Sequence, residues 1–244
     1  MEIILLDWTR MGNSYCLAGV IVQEGPIQVV RPLPAKHFRA EVRNLGWSPW
    51  AMDGHARWEM FEVIGPRPAR PEPPHLEDLW VRTLRSLQTS ASLEQRRSIL
   101  EATAVRLGEP VFGIPLSRTR SALYLPPGTG RRSLATLVVP AHAIDFSGSH
   151  REGSSGPDIR VHLRVPGPGD RTLPVKDHHL LLKAESGRAG LEEQIQRLNE
   201  EVHRMGELVA IRLGLSRPFV ADGRESPRCW LMADGFFSFS HPQA

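Results

Sequence analysis

Glu2 to Trp8 is an apolar run closed by the polar turn Thr9-Arg10-Met11-Gly12-Asn13, and a second apolar run, Tyr15 to Val22, follows it. Two apolar runs around a Gly-Asn pair predict a β-hairpin, because Gly12 and Asn13 tolerate the positive φ that a tight turn needs. A second turn, Gln23-Glu24-Gly25-Pro26, leads into Ile27-Gln28-Val29-Val30, which Arg31-Pro32-Leu33-Pro34 ends. Trp58 to Ile64 reads as a further strand stopped by Gly65-Pro66. The chain is therefore expected to open as an antiparallel meander.

Proline recurs from Arg67 to Pro74 too often for a helix or central strand, so an extended connector is expected there. Beyond it, Leu76, Leu79, Trp80, Leu84 and Leu87 keep helical spacing, with Glu77 and Asp78 in a first turn. A second helix is expected from Leu93 to about Arg106, with Ser92 as N-cap and Gln95 completing a capping box. Strands are expected near Val111–Ile114, Ala122–Leu125, Leu134–Pro140, Ile159–Val165 and His178–Ala184, with a flexible Ser/Gly loop between Phe146 and Asp158. Leu191, Ile195, Leu198, Val202 and Met205 form one face of a helix at about 191–205, opposite a charge-balanced polar face, which marks a core-packing helix. Strands at about Leu208–Leu213 and Cys229–Ser238 close the chain.

This pattern predicts an α+β, mostly β protein: two small OB-like barrels or half-barrels with intervening helices. The expected division is an N-terminal OB-like β domain over 1–74, a helical connector over 75–108, and a C-terminal OB-like β domain over 109–244.

The sequence has 244 residues, 41% of them hydrophobic and 23% charged, values that support a packed core and argue against wholesale disorder. The N-terminus lacks a basic segment, a long apolar stretch and a small-residue cleavage site, and no apolar run approaches the ~20 residues of a membrane span. A cytoplasmic protein without a membrane partner is expected. Cys16 and Cys229 are far apart and lack CxxC spacing, so neither a disulfide framework nor a cysteine zinc site is indicated.

Thirty basic residues stand against 27 acidic ones, and lysine occurs only at 36, 176 and 183. Arginine's planar donor fork suits phosphate and carboxylate. A Pro-, Gly-, Ala- and Arg-rich composition also follows from a GC-rich genome, so the placement of the arginines matters more than their number. Pro110 to Ile144 contains Arg118, Arg120, Arg131 and Arg132 and no acidic residue, a candidate footprint for a phosphate backbone. Arg10, Arg31, Arg212 and Arg217 each stand beside apolar strand or turn positions, while Trp8, Trp47, Trp50 and Phe219 are rings able to stack on bases. Trp47 and Trp50 sit in the turn-rich Gly46-Trp47-Ser48-Pro49-Trp50, where indoles either plug a barrel end or form a stacking platform.

Catalytic signatures are missing. There is no GxGxxG after a strand, and Pro126-Pro127-Gly128-Thr129-Gly130-Arg131-Arg132 lacks the P-loop lysine, so it reads as a hairpin tip. His178-His179 beside Asp177 has no further ligand at metal spacing, and Asp145 with His142 lacks a nucleophile to complete a triad. No catalytic residue, metal or cofactor is assigned.

Leu-Leu-Asp-Trp-Thr-Arg near the start, Cys-Leu-Ala-Gly-Val, Arg31-Pro32 and Pro74-His75-Leu76-Glu77-Asp78-Leu79-Trp80 occur in order. They are followed by Leu173-Pro174-Val175-Lys176-Asp177, Ile-Arg-Leu-Gly-Leu-Ser-Arg-Pro-Phe at 211–219 and Arg228-Cys229-Trp230-Leu231-Met232. This order resembles the dual OB-containing domain family of bacteria, along nearly the whole chain. The resemblance implies two OB-type folds and an accessory role in a nucleic-acid modification or conflict system, with no catalytic residues to carry over. Thr9, Arg10, Arg31, Asp177, Arg212, Arg217 and Trp230 match its recurring features. Met232-Ala233-Asp234 departs from the more polar strand expected there, and the loop at 147–157 reads as an insertion.

The leading expectation is a module that binds nucleic acid, single-stranded by preference, or a nucleotide. Two alternatives stand beside it: a scaffold for protein partners from the same operon, and an enzyme using Asp7, Asp145 or Asp177.

Overall fold

The computed structural model describes residues 1–35, 46–48, 52, 54–69, 72–105, 109–119, 122–150, 156–164, 171–186, 190–221 and 225–239. The opening hairpin forms as its pattern requires: β1 (Glu2–Met11) turns at Gly12, whose φ is +59°, into β2 (Ser14–Ile21). β3 (Val29–Pro34), β4 (Glu59–Ile64), β5 (Arg67–Pro68), β6 (Asp78–Val81) and β7 (Thr83–Ser90) join them in a seven-stranded sheet ordered β5-β6-β3-β2-β1-β4-β7.

The helix expected over Leu76 to Leu87 is not formed. β6 pairs in parallel with β3, Arg31 opposite Asp78, and β7 pairs antiparallel with β4. A short apolar run fits either period, and here the open edges of a sheet supplied hydrogen-bond partners that an isolated helix would have had to find in itself. The helical part of the stretch expected as a connector reduces to α1 (Leu93–Thr103), with the capping box intact: Gln95 N–H donates to Ser92 Oγ at 3.2 Å and Ser92 N–H to Gln95 Oε1 at 2.8 Å.

In the second half, β8 (Ser117–Arg118), β9 (Leu123–Leu125) and β10 (Leu134–Pro140) precede the hairpin of β11 (Ile144–His150) and β12 (Pro157–Leu163). Val111 to Ile114, expected as a strand, is a turn with Gly113 at φ +79°. Part of the expected Ser/Gly loop is sheet, because β11 runs to His150 and β12 starts at Pro157. β13 (Arg171–Pro174) completes a three-stranded sheet with β11 and β12.

His178 to Ala184 is helical, not extended: α2 (His178–Ser186) begins where Asp177 Oδ1 accepts the Leu180 N–H at 3.1 Å. A carboxylate that caps the first turn removes an orphan N–H, which favours the helix over the strand. α3 (Leu191–Arg204) packs Leu198 and Val202 into the C-terminal core, as its periodicity requires. β14 (Leu208–Leu215) and β15 (Cys229–Ser238) complete a five-stranded sheet ordered β10-β14-β15-β9-β8. The architecture is mostly β, two curled half-barrel sheets with helices packed against them. Among the described residues no helix is long and apolar enough to cross a membrane.

Residue alternation joins the halves. Ile3 and Leu5 of β1 face the N-terminal core, whereas Ile4 and Leu6 face a middle layer with Ile99 and Leu100 of α1, Ala210 of β14 and Phe237 of β15. Val209, Ile211, Leu213 and Leu215 enter the C-terminal core, which leaves Ala210, Arg212 and Gly214 on the face toward β1. A β-bulge between Leu5 and Asp7 re-aims β1, and Asp7 meets Arg212 there.

Arg212→Met leaves Asp7 buried without its partner and is expected to lower unfolding free energy by about 3–5 kcal/mol. The double variant Asp7→Leu/Arg212→Met is expected to recover most of that loss. Urea denaturation of both variants and the native protein checks this, and equal losses in single and double variants would contradict it.

Candidate functional site

Two sites emerge, one on the surface and one between the sheets. The surface site begins with β9 against the start of β15, where Tyr124 is opposite Trp230. Their rings lie 5.5 Å apart, and Phe219 continues the row with its ring 6.2 Å from Trp230. A backbone bridge between Phe219 and Arg228, at 3.2 and 3.1 Å, folds the β14–β15 connection over this row. The Arg228 guanidinium sits 4.2 Å from the Tyr124 ring centre and 5.6 Å from that of Trp230. Phe219 is 50% exposed and Val220 53% exposed. Arg118 of β8 pairs with Leu123 one strand further out. The result is an aromatic surface carrying a cation over its rings, a geometry worth about 0.5–2 kcal/mol between its own members and open to a flat ligand.

The inner site is a polar cluster between the face of β1, β2 and β3 and that of β14 and β15. Arg212 has no exposed surface. Its Nε donates to Asp7 Oδ1 at 2.9 Å, its Nη2 to Asp7 Oδ2 at 2.7 Å, and its Nη1 to Thr136 Oγ1 at 2.9 Å. Burial works against the guanidinium charge, but Asp7 outweighs it, so the pKa is raised. Arg31 Nη1 donates to His75 Nδ1 at 2.6 Å and lies 3.7 Å from Asp78 Oδ1. Arg217 Nη1 pairs with Asp78 Oδ2 at 2.7 Å. Because arginine only donates, His75 is fixed as the tautomer with bare Nδ1, and burial beside Arg31 depresses its pKa.

Asp234 is buried with them. Loss of water, then the nearby Asp7, holds its pKa well above the ordinary 3.8, so the carboxyl keeps its proton beyond the pH at which a free one ionises. Burial likewise raises the Cys16 thiol, which keeps it out of the thiolate form a nucleophile needs. These groups line a cavity of about 30 Å³ whose walls include Asp7, Cys16, Arg31, Arg217, Met232 and Asp234.

Only some of the arginines and tryptophans singled out in the sequence reach these two places. Arg31, Arg212 and Arg217 converge on the inner cluster, but burial denies Arg31 and Arg212 the open surface expected of backbone contacts. Trp47 is also buried: its Nε1–H donates to the Pro32 carbonyl at 2.8 Å, making it a core plug instead of a stacking ring. Trp8 is in the same core, against Tyr15 and the two rings of His178 and His179. Arg10 reaches across to Glu185 of α2. Arg118 flanks the aromatic surface, Arg131 is exposed in the β9–β10 connection, which is no hairpin because β14 and β15 lie between those two strands, and Arg132 Nε donates to the Val111 carbonyl at 2.8 Å. Arg120 and Trp50 lie outside the described residues.

The carboxylates considered for an enzyme are each held by an arginine: Asp7 by Arg212, Asp177 by Arg57, and Asp145 by Arg164. Among the described residues no three or more His, Cys, Asp or Glu gather as a metal site. The sequence reading missed Tyr124, Arg228, Asp78 and Asp234. The available signal was the period-two placement of Trp230, Met232 and Asp234 on one side of β15, opposite Cys229, Leu231 and Ala233 of the core.

Asp234 predicts a pH dependence. The folded chain keeps a proton that the unfolded chain releases near 3.8, so this contribution to stability falls as pH rises above 3.8, until the carboxyl ionises in the fold. Asp234→Asn is expected to remove that decline and to gain on the native chain as pH increases. Urea denaturation from about pH 4 to about pH 8 measures it, and parallel curves would refute the assignment.

The sequence matches no family model and no curated protein. Among solved structures the chain aligns with "Structure of murine DNA binding protein bound with ds DNA" at 7% identity, covering 100% of this chain and 98% of that one. The TM-score of 0.32 is too low for that likeness to carry an argument about fold or function.

Proposed function

We propose that the protein is a nucleic-acid-binding accessory module that takes unpaired bases on the Tyr124–Trp230–Phe219 surface. The observation that carries this reading is Arg228 stacked over Tyr124 and Trp230 beside the half-exposed Phe219. A partly exposed aromatic row that ends on the open Phe219 ring and carries a cation offers the two things a single strand needs, a π-face for bases and a charge for the backbone. Duplex DNA keeps its bases stacked on one another, so a flat ring surface favours single strands or a free nucleotide. Arg118, on the strand beside Tyr124, adds a further cation from an acid-free stretch of chain. This role fits the resemblance to the dual OB-containing domain family, and with it an accessory function in a modification or conflict system.

Fluorescence anisotropy with labelled 5′-hydroxyl single-stranded DNA, RNA and duplex, at two salt concentrations, tests the proposal. Trp230→Ala and Phe219→Ala are expected to weaken single-strand binding by about 1–3 kcal/mol per stacked base. Arg228→Ala is expected to flatten the salt dependence by about one counterion. Absence of binding at low salt would reject the reading and make the exposed Phe219–Val220 edge a candidate for protein docking.

A further inference from the structure

Three polar groups at the inner cavity lack a partner: Arg31 Nε, Arg217 Nη2 and Asp234 Oδ1 are buried and make no hydrogen bond. Two of them are guanidinium nitrogens, which can only donate. The third belongs to a carboxyl whose pKa is raised by burial and then by Asp7, which favours the form that brings an O–H. The neighbouring acids are already engaged. Asp7 holds Arg212, Asp78 gives Oδ2 to Arg217 and keeps Oδ1, which makes no hydrogen bond, 3.7 Å from Arg31 Nη1 and off the cavity wall, and Glu77 accepts the Ser133 N–H at 2.7 Å and the Ser133 hydroxyl at 2.9 Å. What the cavity is missing is therefore an acceptor oxygen. Leaving such donors dry costs about 1–3 kcal/mol each, more where the group is charged.

Size narrows the choice. A single water needs roughly 10–15 Å³, so the cavity of about 30 Å³ admits the oxygens of one small anionic group and excludes a base or sugar. The donors come from β3, the segment after β14 and β15, on separate parts of the wall. A planar carboxylate is best met by one guanidinium fork, whereas donors from several segments suit a tetrahedral group. Met232, on the wall, is two residues from Trp230 on the same side of β15, so the cavity and the aromatic surface share one strand face.

We propose that this cavity is a receptor for a phosphate group, held by Arg31, Arg217 and the carboxyl of Asp234. Two sources present the same chemistry: the terminal phosphate of a strand or nucleotide stacked on Trp230, which rests on the nucleic-acid reading above, and free inorganic phosphate, which does not.

Isothermal titration of the native protein with sodium phosphate, against sodium chloride at matched ionic strength, decides whether the receptor exists. Saturable binding is expected. Arg217→Gln, at the partly exposed rim, is expected to weaken it about tenfold or more, while Asp234→Asn, which keeps a donor, is expected to retain it. Circular dichroism confirms that each variant is folded. If Arg217→Gln does not fold, the native titration still decides: no saturable phosphate binding overturns the proposal.

Anisotropy with matched 5′-phosphorylated and 5′-hydroxyl oligonucleotides then separates the sources. A preference for the phosphorylated end that inorganic phosphate competes away assigns the receptor to strand ends. Equal affinities with phosphate binding intact assign it to free phosphate. Oligonucleotide binding with no response to phosphate in either form removes the receptor and leaves the stacking surface standing.

Discussion

Arg212 and Asp7 are 205 positions apart in sequence, and their doubly bonded ion pair ties β1, an interior strand of the N-terminal sheet, to β14, an interior strand of the C-terminal one. Hydrophobic contact between the two faces is non-directional and would accept several rotations of one sheet on the other. A bidentate guanidinium–carboxylate pair in a water-free layer accepts few, because breaking it strands two charges where solvent cannot reach them. Thr136 and Thr103 extend the constraint, since Thr136 takes the third arginine donor and shares a 2.7 Å hydrogen bond with Thr103 of α1.

Other features follow from that anchor. Gly214 lies where any side chain would collide with Asp234, whose carboxyl oxygen stands 1.8 Å from the place a Cβ would occupy, so the strand is kept bare to admit the acid. Burial, and then the carboxylate of Asp7 alongside, raises the pKa of Asp234. Arg31 and Arg217 share a single acid, Asp78, which reaches them only because β6 lies parallel beside β3. The cluster is thus rich in donors by construction, and its unsatisfied atoms point to an acceptor from outside the chain.

The surface site depends on the same strand. Alternation along β15 sends Cys229, Leu231 and Ala233 into the core and places Trp230, Met232 and Asp234 on the opposite side. Aromatic stacking at one end and buried donors at the other are two consequences of one strand's period. The bridge between Phe219 and Arg228 then brings a ring and a cation from the loop onto Trp230.

The sequence by itself determined the elements whose signals are local. Gly12 at a positive-φ turn gave the first hairpin, Ser92 and Gln95 capped α1, and the apolar stripe of α3 packed as its spacing requires. The mostly β character was legible from these and from the runs that became β10 and β15. Only the tertiary structure decided the segments whose partners are remote. Asp78 to Ser90 became strands because β3 and β4 offered them edges, and His178 to Ser186 became a helix because Asp177 capped it. Arg31 and Arg212 read as surface binding residues, and Trp47 as either a plug or a stacking ring, since charge and aromaticity are visible in a sequence while burial is not. Their ion-pair and hydrogen-bond partners are brought near only by folding, and no local pattern encodes a contact across that distance.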